Sequence, residues 1–146
     1  MTKTATFEDA VSIAAQAHKG QRDKAGAPYL LHPLRLMMRM TSEAAMMAAV
    51  LHDVVEDSEW TLERLRGEGF PEEVLEAVDC LTHREGESYQ EFVERVRPNP
   101  VARQVKIADL EDNMNIRRMS QLGGKDLERL EKYHRAWCVL TGADKG

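Results

Sequence analysis

The sequence predicts an all-α fold, a bundle of about seven to eight helices in one domain. Three observations predict it. Aromatic residues make up only 5% of the chain, while alanine, leucine, methionine and valine dominate its 42% apolar content, a composition that favours helix over strand. No segment shows the apolar–polar alternation of β-branched residues that marks a half-buried strand. Serine, threonine and asparagine recur just ahead of apolar stretches with helical spacing, where N-caps belong. At 146 residues the chain can bury about two thirds of its unfolded surface around a single core, so residues 1–146 are expected to form one domain.

The elements follow in order. Thr6 caps a first helix through FEDAVSIAAQAH, with Phe7, Val11, Ala14 and His18 along one face, and Gly20 stops it. KGQRDKAGAPYLLHP follows as a loop, broken by Gly26 and Pro28, and its Lys19, Arg22 and Lys24 concentrate positive charge. Pro33 suits the first turn of a short helix, PLRLMMRM, and Ser42 caps the next. That next helix carries AAMMAAVLHDVVEDS. It is apolar on every side from Ala44 to Leu51 and is expected at the centre of the bundle. TLERLRGEGF and PEEVLEAVDCLTH read as two amphipathic helices, and Ser88 with Glu91 forms a capping box for another that ends before Pro98. Asn99 and Pro100 open VARQVKIADLEDNMNIRRM as a further helix, and KDLERLEKYHRAWCVL supplies the last. The methionines at 37, 38, 40, 46 and 47 are expected to fill the core.

A net charge of −5 with both signs interleaved argues against a nucleic-acid surface and against a polybasic membrane patch. The opening MTKTATFEDA lacks the apolar centre of a signal peptide, and no apolar run reaches the length of a membrane span, so a cytoplasmic protein is expected. Cys80 and Cys138 belong to no metal or redox spacing and read as ordinary buried thiols in a reducing compartment.

The apolar central helix poses a problem, because it contains His52, Asp53, Glu56 and Asp57. A buried carboxylate must be paired, protonated or bound to a cation, since desolvating it otherwise costs several kcal/mol. Residues four apart share a helix face, which sets His52 over Glu56 and Asp53 over Asp57, and Asp109 beside Asn113 on a stripe shared with Val105 and Ile116. If these helices face each other, His52, Asp53 and Asp109 converge, and His32 can complete the set. Two imidazoles and two carboxylates suit Mn²⁺ or Fe²⁺, and also Zn²⁺ or Co²⁺, but Ca²⁺ poorly. Such a cation acidifies water and polarises a phosphoryl oxygen. Glu56 and Asp57 are then placed to accept a proton from that water, and Asn113 to hold substrate or water. His18 reads as a hydrogen-bonded core histidine, and His83 and His134 as surface residues.

Three segments, AHKGQRDKAGAPYLLHP, AAVLHDVVEDS and VKIADLEDNMNIRR, resemble in order and interval the HD-domain superfamily of metal-dependent phosphohydrolases. More narrowly, they resemble the hydrolase domain of the RelA/SpoT alarmone enzymes and their stand-alone small relatives. The resemblance implies a compact HD-domain bundle in which His32, His52, Asp53 and Asp109 bind Mn²⁺, Glu56 and Asp57 activate the attacking water, and Asn113 contacts the substrate near the scissile phosphate. It implies removal of the 3′-pyrophosphate from guanosine tetra- or pentaphosphate. From the sequence itself, neither a synthetase domain nor a regulatory tail is expected. Asp23 precedes Lys24 where the family usually has an arginine that helps hold the nucleotide, and Arg22 is expected to take its place beside Lys24. Glu111 and Asp112 precede Asn113 where Leu-His is common, a charge expected to repel a polyphosphate unless it points to solvent. Asn115 and Ile116 replace a usual polar pair, with Arg117 and Arg118 close by. An HD phosphohydrolase acting on another phosphorylated nucleotide is the alternative. A binding module without turnover predicts loss of Glu56 or Asp57, and both are present.

Overall fold

Residues 3–143 are described by the computed structural model. They form nine α-helices and one 3₁₀ turn: α1 (Phe7–Ala17), α2 (Leu31–Met38), α3 (Glu43–Leu51), α4 (Val54–Asp57), α5 (Leu62–Gly67), α6 (Glu72–Cys80), α7 (Tyr89–Val96), α8 (Pro100–Asn113), the turn Ile116–Arg118, and α9 (Gly124–Thr141). Among the described residues the only strand pairing is an isolated bridge between Arg22 and Pro28. None of the helices is long and apolar enough to cross a membrane.

The capping signals in the sequence set most of the starts. Thr6 and Asp9 exchange hydrogen bonds at 2.8 and 3.1 Å at the head of α1. Ser42 caps α3, Ser88 and Glu91 form the box before α7, and Asn99 caps α8 with Pro100 in its first turn. Each such cap satisfies backbone N–H groups that have no partner within the helix, worth about 1 kcal/mol apiece.

Helix α3 is the axis of the bundle, packed against α1, α2, α6 and α8. Its Ala45, Ala48, Ala49, Val50 and Leu51 are wholly buried, as are Ala10 and Ala14 of α1, Ala77 of α6 and Ala102 of α8. Small side chains at these crossings let backbones approach closely, while Leu36, Leu51, Leu65, Leu75 and Leu110 fill the space between. Each fully buried leucine stabilises the fold by roughly 1.5–3 kcal/mol.

The expected central helix is divided, which raises the helix count. Helix α3 ends at Leu51, and Asp53, at φ −103° and ψ −1°, starts the single turn of α4. The i to i+4 relation survives there, since the Asp57 amide donates to the Asp53 carbonyl at 2.9 Å. The helix expected over 101–119 stops at Asn113, after which Asn115 caps the 3₁₀ turn by accepting from the Arg117 amide. Met38 is 78% exposed rather than core, because α2 is a surface helix with only one buried side. Cys80 and Cys138 are free thiols, half-buried rather than buried.

The α6–α7 connection is anchored by Arg95. The Arg95 guanidinium donates to the Cys80 and Thr82 carbonyls at 3.2 and 2.8 Å and to the Glu87 carboxylate at 2.7 and 2.9 Å. These hydrogen bonds pull the Glu87 carboxyl down from 4.5 to about 2. A depressed carboxyl contributes stability that is complete above its unfolded value and lost as pH falls through the folded one. Glu87→Gln is therefore expected to be less stable than the parent at pH 7, with the gap closing between pH 4.5 and about 2. Urea denaturation across that range measures it, and a gap that stays constant would contradict the assignment.

Candidate active site

His52 closes α3, so the most buried helix of the bundle delivers its last side chain into the interior, where it is 2% exposed. Its Nδ1–H donates to the Ala49 carbonyl at 2.7 Å, which fixes the ring. Among the described residues its buried Nε2 has no hydrogen-bond partner, and it lies 3.0 Å from Asp53 Oδ2 and 3.6 Å from Asp109 Oδ1. His32, in the first turn of α2, brings Nε2 to 2.8 Å from Asp109 Oδ1 and Nδ1 to 2.6 Å from Asp112 Oδ2. His32, His52 and Asp109 each offer a donor atom, and these lie within 4.8 Å of one another. Asp53 adjoins this group through His52, and the same Oδ2 that faces the imidazole accepts the Tyr29 hydroxyl proton.

The electrostatics follow from burying negative charge. Desolvation alone would raise Asp109, but the Lys106 ammonium and the two imidazoles hold it well below its ordinary value. Burial would lower His52 and His32, yet the Asp53 charge acting on the first, and hydrogen bonds to Asp109 and Asp112 on the second, raise both. Lys106 Nζ reaches Asp109 Oδ2 at 2.9 Å and lies 4.9 Å from the centre of the Phe92 ring. Asn113 Nδ2 donates to Asp109 Oδ1 at 3.1 Å. Two imidazoles and two carboxylates that meet in the interior form a donor set able to accommodate a divalent cation. The unpartnered Nε2 of His52 supplies a lone pair for it, and mixed nitrogen and oxygen donors fit a transition metal.

Glu56 and Asp57 lie on α4 at the solvent side of this cluster. The Glu56 carboxylate accepts the His83 amide proton from the α6–α7 connection. Partial desolvation raises both carboxyls above their ordinary values, and the nearby Asp53 charge adds to it. His18 is 2% exposed and its Nδ1 lies 2.8 Å from Gln21 Oε1, as expected of a core histidine, although its Nε2 has no partner among the described residues. The Gln21 amide also donates to the Asp57 carbonyl at 3.1 Å, tying the first loop to α4.

A cavity of about 320 Å³ opens beside the cluster. Tyr29 and Asn113 line it and also touch Asp53 and Asp109 respectively, so they form the boundary between cavity and cluster. Arg22, Lys24 and Arg118 supply positive charge to its wall, and Arg129 and Tyr133 of α9 close it. All three residues expected to touch substrate, Arg22, Lys24 and Asn113, are thus in one place. Asp23 also lines the cavity, but its Oδ1 accepts the Ala25 and Ala27 amides at 2.9 Å, so it serves its own loop.

The charge at Glu111 and Asp112 corrects the expectation set by the sequence. Neither carboxylate is left free toward a polyphosphate. Glu111 pairs with Arg39 and accepts the Trp137 indole N–H at 2.8 Å, while Asp112 turns inward against His32, Arg35 and Arg118. Sequence reasoning also passed over Tyr29 and Lys106. Lys106 stands three residues before Asp109, and that i, i+3 spacing was a readable signal. Tyr29 had none, since it reaches Asp53 from a loop.

A family model described as HD domain matches residues 10–122. The chain belongs to the HD domain family. It is 31% identical to the Homo sapiens protein named guanosine-3′,5′-bis(diphosphate) 3′-pyrophosphohydrolase MESH1, across 97% of this chain and 86% of that one. The Mus musculus protein of the same name matches equally, at 31%. A Streptomyces coelicolor protein named GTP pyrophosphokinase is 33% identical across 77% of this chain. This chain spans only about 15% of that longer relative's length. A solved structure described as "A metazoan ortholog of SpoT hydrolyzes ppGpp and plays a role in starvation responses" superposes with a TM-score of 0.76 over 96% of this chain and 87% of that one. Its sequence identity is 24%, so that likeness is one of fold.

The donor set predicts ligand-linked stability. A divalent cation at about 100 times its Kd adds roughly 2.7 kcal/mol, equivalent to a Tm rise of roughly 5–10 °C for a chain of this size. Asp109→Ala is expected to remove that rise, read by thermal melts with and without Mn²⁺.

Proposed function

We propose that this chain is a Mn²⁺-dependent, cytoplasmic pyrophosphohydrolase that removes the 3′-pyrophosphate from guanosine tetra- or pentaphosphate. The observation that carries the proposal is the convergence of His32, His52 and Asp109 beside a cavity whose wall holds Arg22, Lys24 and Arg118. The names of the mammalian relatives, which match nearly the whole chain, support the same reaction.

His32, His52, Asp53 and Asp109 hold the cation, which when bound acidifies water and polarises the phosphoryl group. Water attacks the phosphorus joined to the 3′-oxygen, the bond from that phosphorus to the 3′-oxygen breaks, and GDP or GTP leaves with pyrophosphate. The proton given up by the water passes to Glu56 or Asp57, and the departing 3′-oxygen takes up one proton to become the 3′-hydroxyl, so that one water is consumed and no proton is gained or lost overall. Their raised values bring them closer to neutral pH than ordinary carboxylates, which suits a proton acceptor. Asn113, fixed through its Nδ2 to Asp109, presents its amide oxygen to substrate or water. Arg22 and Lys24 neutralise phosphate charge, and burial beside Arg129 lowers the Lys24 ammonium. Tyr29 holds Asp53 in orientation by its hydroxyl.

A second reading, hydrolysis of another phosphorylated nucleotide, is favoured by one observation. Asp23 stands where the family has an arginine for the nucleotide, and the Asp23 oxygen that caps its own loop offers nothing to a base.

The test is incubation of Mn²⁺-loaded protein with a panel of 3′-phosphorylated nucleotides, products being resolved by chromatography. Release of pyrophosphate from guanosine tetraphosphate in preference to the others supports the first reading, and preference for a non-guanine nucleotide the second. Glu56→Ala is expected to keep Mn²⁺ affinity and lose about 10²–10⁴ in kcat. Lys24→Ala is expected to raise KM with kcat little changed, and an unaltered KM counts against its contact with substrate.

A further inference from the structure

The Asp112 carboxylate is the most heavily bonded group in the site, and nothing in the proposed chemistry uses it. It sits on the last turn of α8, its side chain 9% exposed. Oδ2 accepts from His32 Nδ1 at 2.6 Å and from Arg35 at 2.9 Å, and Oδ1 accepts from Arg35 Nε at 2.8 Å and Arg118 at 3.0 Å. Two charge-assisted bonds on each oxygen leave the carboxylate no rotational freedom. Desolvation works against its charge, yet His32 and Arg35 hold it far below the ordinary carboxylate range.

We propose that Asp112 is a positioning residue that holds the His32 ring with its Nδ1 proton on the carboxylate, leaving Nε2 to bind the cation. This rests on the assignment of His32 as a metal-holding residue. A neutral imidazole carries one proton, and whichever nitrogen keeps it cannot bind metal. His52 has that choice made by the Ala49 carbonyl. Among the described residues no carbonyl hydrogen-bonds to His32 Nδ1, and Asp112 is the acceptor that takes its place, adding a negative charge that makes Nε2 a better donor. Arg35 and Arg118 make that charge tolerable in a half-dry setting, each with its side chain about one third exposed. The same carboxylate that looked like a liability for binding a polyphosphate is thereby spent on the metal-holding ring and shielded from the cavity.

Mn²⁺ titration of the metal-free protein by calorimetry tests this without reference to any nucleotide. Asp112→Ala is expected to weaken Mn²⁺ binding about 10–100-fold, and Asp112→Asn, which keeps an acceptor but not the charge, by an intermediate factor. Arg35→Gln removes part of the ion-pair clamp between α2 and α8 but leaves the carboxylate on His32. It is expected to lower Tm while leaving Mn²⁺ affinity within about threefold of the parent, well short of the loss a displaced carboxylate gives. Should Asp112→Ala fail to fold, Asp112→Asn decides by the same comparison. Parent-like affinity in the Asp112 variants overturns the proposal, as does an Arg35→Gln loss equal to that of Asp112→Ala, which would mark a helix-docking effect. A parent that binds no Mn²⁺ removes the metal assignment itself and this inference with it.

Discussion

Asp109 is the charge around which the bundle is arranged. It is 6% exposed, and its two oxygens face an ammonium, an amide and two imidazoles contributed by α2, α3 and α8. A buried carboxylate without such company costs several kcal/mol, and removing one partner of a buried pair is more damaging than never having had it. The three helices are therefore committed to one mutual geometry by electrostatics as well as by packing. Alanine-rich crossings at α3 allow the backbones close enough for short side chains to meet.

Much of this was legible in the chain. The all-α class followed from composition and caps, and the starts of α1, α3, α7 and α8 followed from Thr6, Ser42, Ser88 and Asn99. The acids that follow the apolar run pointed to a candidate site, because a carboxylate buried there needs a partner, and in the structure Asp53 does meet the histidine cluster while Glu56 and Asp57 are exposed. What was hidden depended on the third dimension. The break at His52–Asp53 coincides with the ring of His52 bonding back to the Ala49 carbonyl, a contact that the apolar pattern of the sequence does not signal. The fate of Asp112 turned on Arg35 and Arg118, which stand 77 and 6 residues away from it in sequence. Met38 resembled core because methionine is apolar, but its position on a surface helix decided otherwise.

The two histidines solve the same chemical problem differently. His52 is oriented by a backbone carbonyl one turn earlier in its own helix, so its geometry is local. His32 is oriented across the bundle, so its geometry depends on the docking of α2 against α8. The site thus has one donor that forms with its helix and one that forms only when the tertiary structure does.

The family match ends at residue 122, and α9 begins at Gly124. That last helix nevertheless supplies Asp126, Arg129, Leu130 and Tyr133 to the cavity, while contributing none of the atoms that converge on Asp109. The cavity wall is therefore shared between the family-matched segment, which brings Arg22, Lys24 and Asn113, and a helix that lies beyond it. Change along that terminal helix can reshape the cavity while leaving every atom packed around Asp109 where it is.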